Sequence, residues 1–286
     1  MASACFAQRV KTGIEVLKDN GFKLLEGKRV GLVTNPTGVD SHLVSDIDIL
    51  HNAPNVQLVA LYGPEHGVRG SAHAGDAVAG NTDERTHLPV YSLFGKTRVP
   101  TDSMLQGIDV LVYDIQDVGC RSFTYISTLY NIMKAAVKHH IKVVVLDRPN
   151  PLGGEKMEGN LVEDDCVSFV SQFRVPYVYG LTPGEVALLL NGEGMLGGRC
   201  DLTVVKMKGW KRRMTYADTG LPWVLSSPHI PEASTAPFYS ITGIIGELTS
   251  ISIGVGYTLP FKLIGAEWVK AQDFADAMNA LHLPGY

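Results

Sequence analysis

Long apolar runs are missing from this sequence. Its most hydrophobic stretches, around residues 110–112 and 143–146, are strand-length, far short of the roughly 20 residues that a membrane-crossing helix needs, so no membrane span is expected. Cysteine is scarce: 4 in 286 residues, at positions 5, 120, 166 and 200, with no close pair of the kind zinc sites use. That scatter neither demands nor excludes an oxidising compartment. An excess of charge of one sign is lacking too. A formal net charge of −4 gives no broad electrostatic reason to bind nucleic acid or an anionic membrane surface, and the short basic run over 206–213 reads as a solvated face. Repeats and low-complexity tracts are absent. With 45% hydrophobic and 19% charged residues, the composition is that of a compact globular protein rather than a disordered or fibrous one. The glycine-rich fragment 194–198 follows a helical pattern instead of a strand, the wrong place for a dinucleotide fingerprint. Residues 1–8 carry small side chains at signal-cleavage spacing and a lipobox-like Ala-Ser-Ala-Cys, without the apolar region that precedes such sites. The remnant of an export signal and an unstructured tail both fit them.

What is present is alternation. Apolar runs at 29–34, 56–62, 89–93, 109–113, 142–146 and 202–207 read as strands, and helical periodicity fills 43–52 and 123–140 between them. Thr182-Pro-Gly-Glu185 opens a further helix, with Thr182 as N-cap, Pro183 at the first helical position and Glu185 closing a capping box. Strand, helix, strand implies parallel crossovers. The expectation is therefore an α/β fold, a doubly wound, mostly parallel, Rossmann-like sheet of about six strands. After Trp210 the rhythm changes and Pro, Ser and Gly become frequent. A first unit over 1–208 and a smaller second α/β unit over 209–286 are expected.

In such a sheet ligands bind beyond the carboxyl ends of the strands, and three loops there are rich in polar residues. Gly63-Pro-Glu-His-Gly-Val-Arg-Gly70 presents Glu65, His66 and Arg69 on a backbone fixed by glycines and a proline. Residues 114–121 offer Asp114, Gln116, Asp117 and Arg121, with Tyr125 following. The third loop supplies Asp147, Arg148 and Asn150. All three are expected to converge on one crevice. Carboxylates in partly dry clefts acquire separated pKa values, so that one donates a proton while another stays ionised. Cleavage of a glycosidic bond needs that division of roles, and arginines suit an anionic substituent of the ligand. Plainer readings stand beside these: Asp147 and Arg148 pairing at a strand end, Asp114 capping the next helix, and His66 serving only its turn. His66, His73 and Asp76 share one segment, but their spacing matches no metal pattern.

At these loops the sequence resembles the exo-β-N-acetylmuramidases of the NamZ or YbbC-like type. The likeness runs through nearly the whole chain, in Gly-Ile-Glu-Val-Leu (13–17), Gly-Leu-Val-Thr-Asn (31–35), Gly-Pro-Glu-His-Gly (63–67), Tyr-Asp-Ile-Gln-Asp-Val-Gly (113–119) with Arg121 and Tyr125, and Leu-Asp-Arg-Pro-Asn-Pro (146–151). The resemblance implies a Rossmann-like domain followed by an auxiliary one, removal of N-acetylmuramic acid from the non-reducing ends of peptidoglycan fragments, and no metal or nucleotide cofactor. It puts the catalytic glutamate at Glu65. Asp117 or Asp114 is then expected as partner carboxylate, with His66, Arg69, Gln116, Arg121, Tyr125, Asp147 and Asn150 holding the sugar and Arg69 or Arg121 meeting its lactyl carboxylate. The family habit also implies an exported, periplasmic or lipid-anchored protein that takes a muropeptide sugar as its substrate. The chain departs from the pattern at Ile253 and Val255, where the family tends to show a Glu and an Arg, which implies two polar groups fewer in the cleft, and at Val178-Tyr179, where it tends to show Arg-His. A sugar-binding protein without turnover is the competing expectation.

Overall fold

The structure is a computed structural model that describes residues 9–70 and 81–283. Its centre is built by strands whose apolar runs leave no polar face. β5 (Val110–Asp114) is buried at all five positions, β1 (Arg29–Thr34) at five of six, and β6 (Lys142–Leu146) at four of five. Strands covered on both faces read as continuous hydrophobic runs because helices lie above and below them. β2 (Gln57–Gly63), β4 (Pro89–Ser92) and β7 (Leu202–Val205) extend the sheet on either side. A two-residue β3 (Asn81–Thr82), not expected from the sequence, adds an antiparallel edge to β4.

The order is β3-β4-β2-β1-β5-β6-β7, and every pairing except that of β3 is parallel. Val33 of β1 aligns with Tyr62 on one side and Tyr113 on the other, which makes β1 central. Counted without β3, the strands run in the doubly wound order that reverses direction between β1 and β5, and that reversal opens a crevice at their carboxyl ends.

Because side chains alternate along a strand, the sheet feeds two cores. Leu111, Tyr113, Val143 and Val145 pack under α3 (Tyr125–His139) and α4 (Pro183–Gly192). Val110, Val112, Val144 and Leu146 pack on the opposite face against α1 (Gly13–Asp19) and α2 (Asp46–His51). The helix expected over 123–140 starts two residues later, and the capping box at Thr182 and Glu185 forms with both of its bonds. A third, smaller core joins Val118, Cys120, Tyr177 and Val178 to Ile230, Ala236 and Phe261, and so seats the C-terminal part on the strand ends. That part contributes α5 (Thr235–Gly246), α6 (Ala271–Ala280) and one isolated bridge between Ser252 and Gly265. Cys120, Cys166 and Cys200 are free; Cys5 and the rest of 1–8 lie outside the described residues. Among the described residues no helix is long and apolar enough to cross a membrane.

Candidate active site

Past β2 the chain turns at once. The Gly67 N–H donates to the Pro64 carbonyl at 3.1 Å, which closes a turn with Glu65 and His66 at its two central positions. His66 has φ of 72° and Gly67 of 74°, and a left-handed backbone at a bulky non-glycine residue costs about 1–3 kcal/mol, a strain that clusters at functional sites. Arg69 clips the loop to its surroundings through Asp83, at 2.7 and 3.0 Å, and Asp48, at 3.3 Å. The guanidinium in turn holds the Asp83 carboxyl far below the usual carboxylate range.

Glu65 and His66 open into a cavity of about 180 Å³ lined also by Ser122, Phe123, Thr124, Tyr125, Ser227, His229, Ile230, Tyr239 and Phe261. Burial raises the Glu65 pKa, and a hydrogen bond with the Thr124 side chain does not offset it. Four of the lining residues form an edge-to-face series of rings: Tyr125 to Phe123 at 4.9 Å, Phe123 to Tyr239 at 5.5 Å, and Tyr239 to Phe261 at 5.0 Å between centroids. Ser122 Oγ lies 3.0 Å from both the Tyr177 and the Tyr239 hydroxyl, tying the loop after β5 to α5. The Tyr125 hydroxyl donates to the Ser226 carbonyl, a second tie of the same kind.

Of the residues expected around one crevice, Glu65, His66 and Tyr125 meet in this cavity and the others do not line it. Asp114 is wholly buried and paired with Arg148, whose guanidinium reaches both carboxylate oxygens and the Val39 carbonyl. Asp46, also wholly buried, accepts from Thr34 Oγ1 and the Ile47 N–H, and burial, followed by the nearby Asp114, pushes its pKa well up. Asp147 does not pair with Arg148 either. It receives the Gly184 N–H at 2.8 Å and Thr182 Oγ1 at 3.0 Å, so it caps α4. Gln116 donates to the carbonyls of Asp117 and Pro149. Asn150 donates to the Leu181 carbonyl and accepts from the Leu152 N–H; a Cβ at Gly119, where φ is 89°, would lie 2.3 Å from its Oδ1. Arg121 donates to the carbonyls of Asn160 and Val175 and to Ser171 Oγ. Each of these polar side chains is engaged with a neighbouring loop, strand end or helix start. Ile253 would meet a Cβ placed on Gly246 of α5, and Val255 is exposed; neither lines the cavity, so the expected loss of two polar groups from its wall does not apply to it.

Asp117 lies behind the rings, wholly buried, with Oδ1 accepting from the Tyr179 hydroxyl and the Gly119 N–H and Oδ2 without a hydrogen-bond partner. Burial pushes its pKa up to about 7 from 3.8. The folded state therefore keeps a proton that the unfolded chain releases, so this group's stabilisation is full below pH 4 and is lost as pH rises through 7. Replacing Asp117 by Asn is expected to flatten the fall in unfolding free energy between pH 4 and 7 by roughly 3–4 kcal/mol, measured by urea titration across that range; profiles that superimpose would mean that Asp117 is ionised in the fold.

Sequence reasoning missed Ser122, Phe123 and Thr124, although they lie between two residues it singled out, and the entire wall from Ser227 to Phe261. His73 and Asp76 lie outside the described residues. Among the described residues no group of three or more His, Cys, Asp or Glu is placed to hold a metal ion.

The sequence model "Exo-beta-N-acetylmuramidase NamZ, N-terminal" matches residues 30–234, and its C-terminal counterpart matches residues 237–286. A Bacillus subtilis (strain 168) protein, "Peptidoglycan beta-N-acetylmuramidase NamZ", is 50% identical over 277 residues, covering 97% of this chain and 66% of its own; the chain thus spans just under two thirds of that relative. The crystal structure of a DUF1343 family protein from Bacteroides fragilis superposes with a TM-score of 0.93 at 66% identity, over 97% of this chain and 70% of that one. A second DUF1343 protein of the same organism gives 0.78 at 34% identity, over 90% and 67%. With Gly-Pro-Glu-His-Gly at the mouth of the cavity and the match running through both parts of the chain, the protein belongs to the exo-β-N-acetylmuramidase NamZ family.

Proposed function

We propose that the protein is a glycoside hydrolase that removes N-acetylmuramic acid from the non-reducing ends of peptidoglycan fragments, with Glu65 as general acid. One observation carries this reading. Glu65 is a carboxyl group whose burial favours the protonated form, held on a strained turn at the mouth of a cavity walled by four aromatic rings. A protonated carboxyl near neutral pH is what departure of a glycosidic oxygen requires. Aromatic rings offer apolar faces to the C–H face of a sugar. The relative from Bacillus subtilis bears the name of a peptidoglycan β-N-acetylmuramidase, which supports the substrate class.

Asp117 is the stronger candidate for the partner carboxylate. It lies near Tyr125 and Tyr239, both in the cavity wall, and with its pKa pushed up to about 7 it exchanges a proton near neutral pH, whereas Asp114 is held in its ion pair with Arg148. Gln116 and Asn150 support the site by bonding the loops after β5 and β6, and Asp147 by capping α4. The division of the chain near residue 208 belongs to the same proposal, supported by the end of the sheet at Val205, as does an exported location, supported by the lipobox-like Ala2-Ser-Ala-Cys5 and by a substrate that comes from the wall. The decisive experiment is release of free N-acetylmuramic acid from the N-acetylmuramyl-N-acetylglucosamine disaccharide. Steady release is expected; tight binding without release over hours would replace the hydrolase by a sugar-binding protein.

A further inference from the structure

We propose that His229 is the specificity residue of this site, its imidazole pairing with the lactyl carboxylate that distinguishes N-acetylmuramic acid from N-acetylglucosamine. The assignment rests on the glycosidase reading and deepens it by naming what selects the sugar. A carboxylate that enters a partly dry cavity gives up water and needs a cation or several N–H donors in exchange. No lysine or arginine lines this cavity, and the stretches outside the described residues, 1–8, 71–80 and 284–286, contain none. The two arginines that sequence reasoning favoured are committed elsewhere, Arg69 to Asp83 and Asp48, and Arg121 to backbone carbonyls.

Among the described residues, two side chains of the lining can become cationic, His66 and His229. His66 adjoins the proton donor in the same turn. The lactyl group hangs from C3, two ring carbons away from the anomeric centre, and calls for a group on another wall. His229 provides it. It comes from the Ser227–Ile230 stretch, far from Glu65 in sequence, and its imidazole makes no hydrogen bond or ion pair with a described residue; only its backbone N–H is used, on Ser227 Oγ at 3.3 Å. The remaining titratable groups facing the cavity are Glu65, Tyr125 and Tyr239. A carboxyl group and two phenols are neutral or anionic, so none of the three supplies the positive countercharge.

The test compares calorimetric binding of free N-acetylmuramic acid and its lactyl methyl ester at a pH of about 5.5, where imidazoles as a class carry charge. The proteins are wild type, His229→Gln and His229→Lys, each with its thermal midpoint recorded to verify folding. Wild type is expected to prefer the acid by about ten- to hundredfold, the range of a charge-assisted hydrogen bond. His229→Gln should bind acid and ester alike, and His229→Lys should restore the preference. A preference that persists in His229→Gln, or is absent from wild type, overturns the assignment. Wild type that releases the sugar while the preference survives in His229→Gln removes only His229; wild type that binds neither ligand and releases no sugar fails the glycosidase reading itself.

Discussion

Glu65→Gln is expected to lower kcat for release of N-acetylmuramic acid by about 10²–10⁴-fold, the span that a positioned general acid contributes, while leaving the thermal midpoint near that of wild type. The amide matches the carboxyl in size and can still meet the Thr124 side chain, so the turn at residues 64–67 has no reason to rearrange. What it lacks is a proton to give to the leaving oxygen. Since burial raises the pKa of Glu65, the wild-type enzyme should keep its acid protonated above the ordinary carboxylate range, and the basic limb of kcat/KM should report its loss. A leaving group that needs no protonation, such as a nitrophenolate, should narrow the difference between the two proteins in the bond-breaking step. Equal rates for wild type and variant on the disaccharide would remove Glu65 from the chemistry.

The second large effect concerns stability. Arg148→Met is expected to cost about 3–5 kcal/mol, the penalty for stripping one partner from a buried ion pair. Arg148 is 4% exposed and Asp114 is fully buried, and the pair is bidentate, so the methionine leaves a carboxyl without compensation. Asp46 lies in the same nest, wholly buried, with its pKa pushed well up. One guanidinium thus faces two carboxyl groups, and burial, followed by the charge of Asp114, favours the protonated form of Asp46. Asp46→Asn should accordingly cost far less than Arg148→Met, as read from urea midpoints at pH 7. Similar losses for the two variants would show that Asp46 is charged and that Arg148 is shared between both.

Much of the scaffold is written locally. Residues 110–114 and 142–146 are legible as strands because a strand buried on both faces can be spelled only in apolar residues. Thr182 and Glu185 are legible because a capping box closes within four positions. Glu65 and His66 are legible for the same reason: proline and glycines bracket them within five residues. The polar loops are another matter. Arg148 takes its partner from Asp114, 34 positions earlier, and Asp147 caps a helix through Gly184, 37 positions later; nothing near either residue announces the partner. The same carboxylates and guanidiniums that look like a reactive cluster in sequence neutralise one another in space. The wall from Ser227 to Phe261 was illegible for a different reason. Its residues are ordinary serines, prolines and aromatics without periodicity, and they become a site only when α5 is laid across the loop after β5.

The cavity is therefore assembled from two sources with unequal freedom to change. Glu65 is held by a turn at the end of β2 and by the Arg69 clip, so changes to the backbone there would disturb the sheet and the chemistry together. The facing wall hangs on a small core and a few hydroxyl ties. Mutations on that side can reshape what is recognised while the proton donor stays in place. A family built this way can diversify its choice of sugar at little risk to the reaction, and its members are expected to differ most from one another in the stretch around residues 227–261.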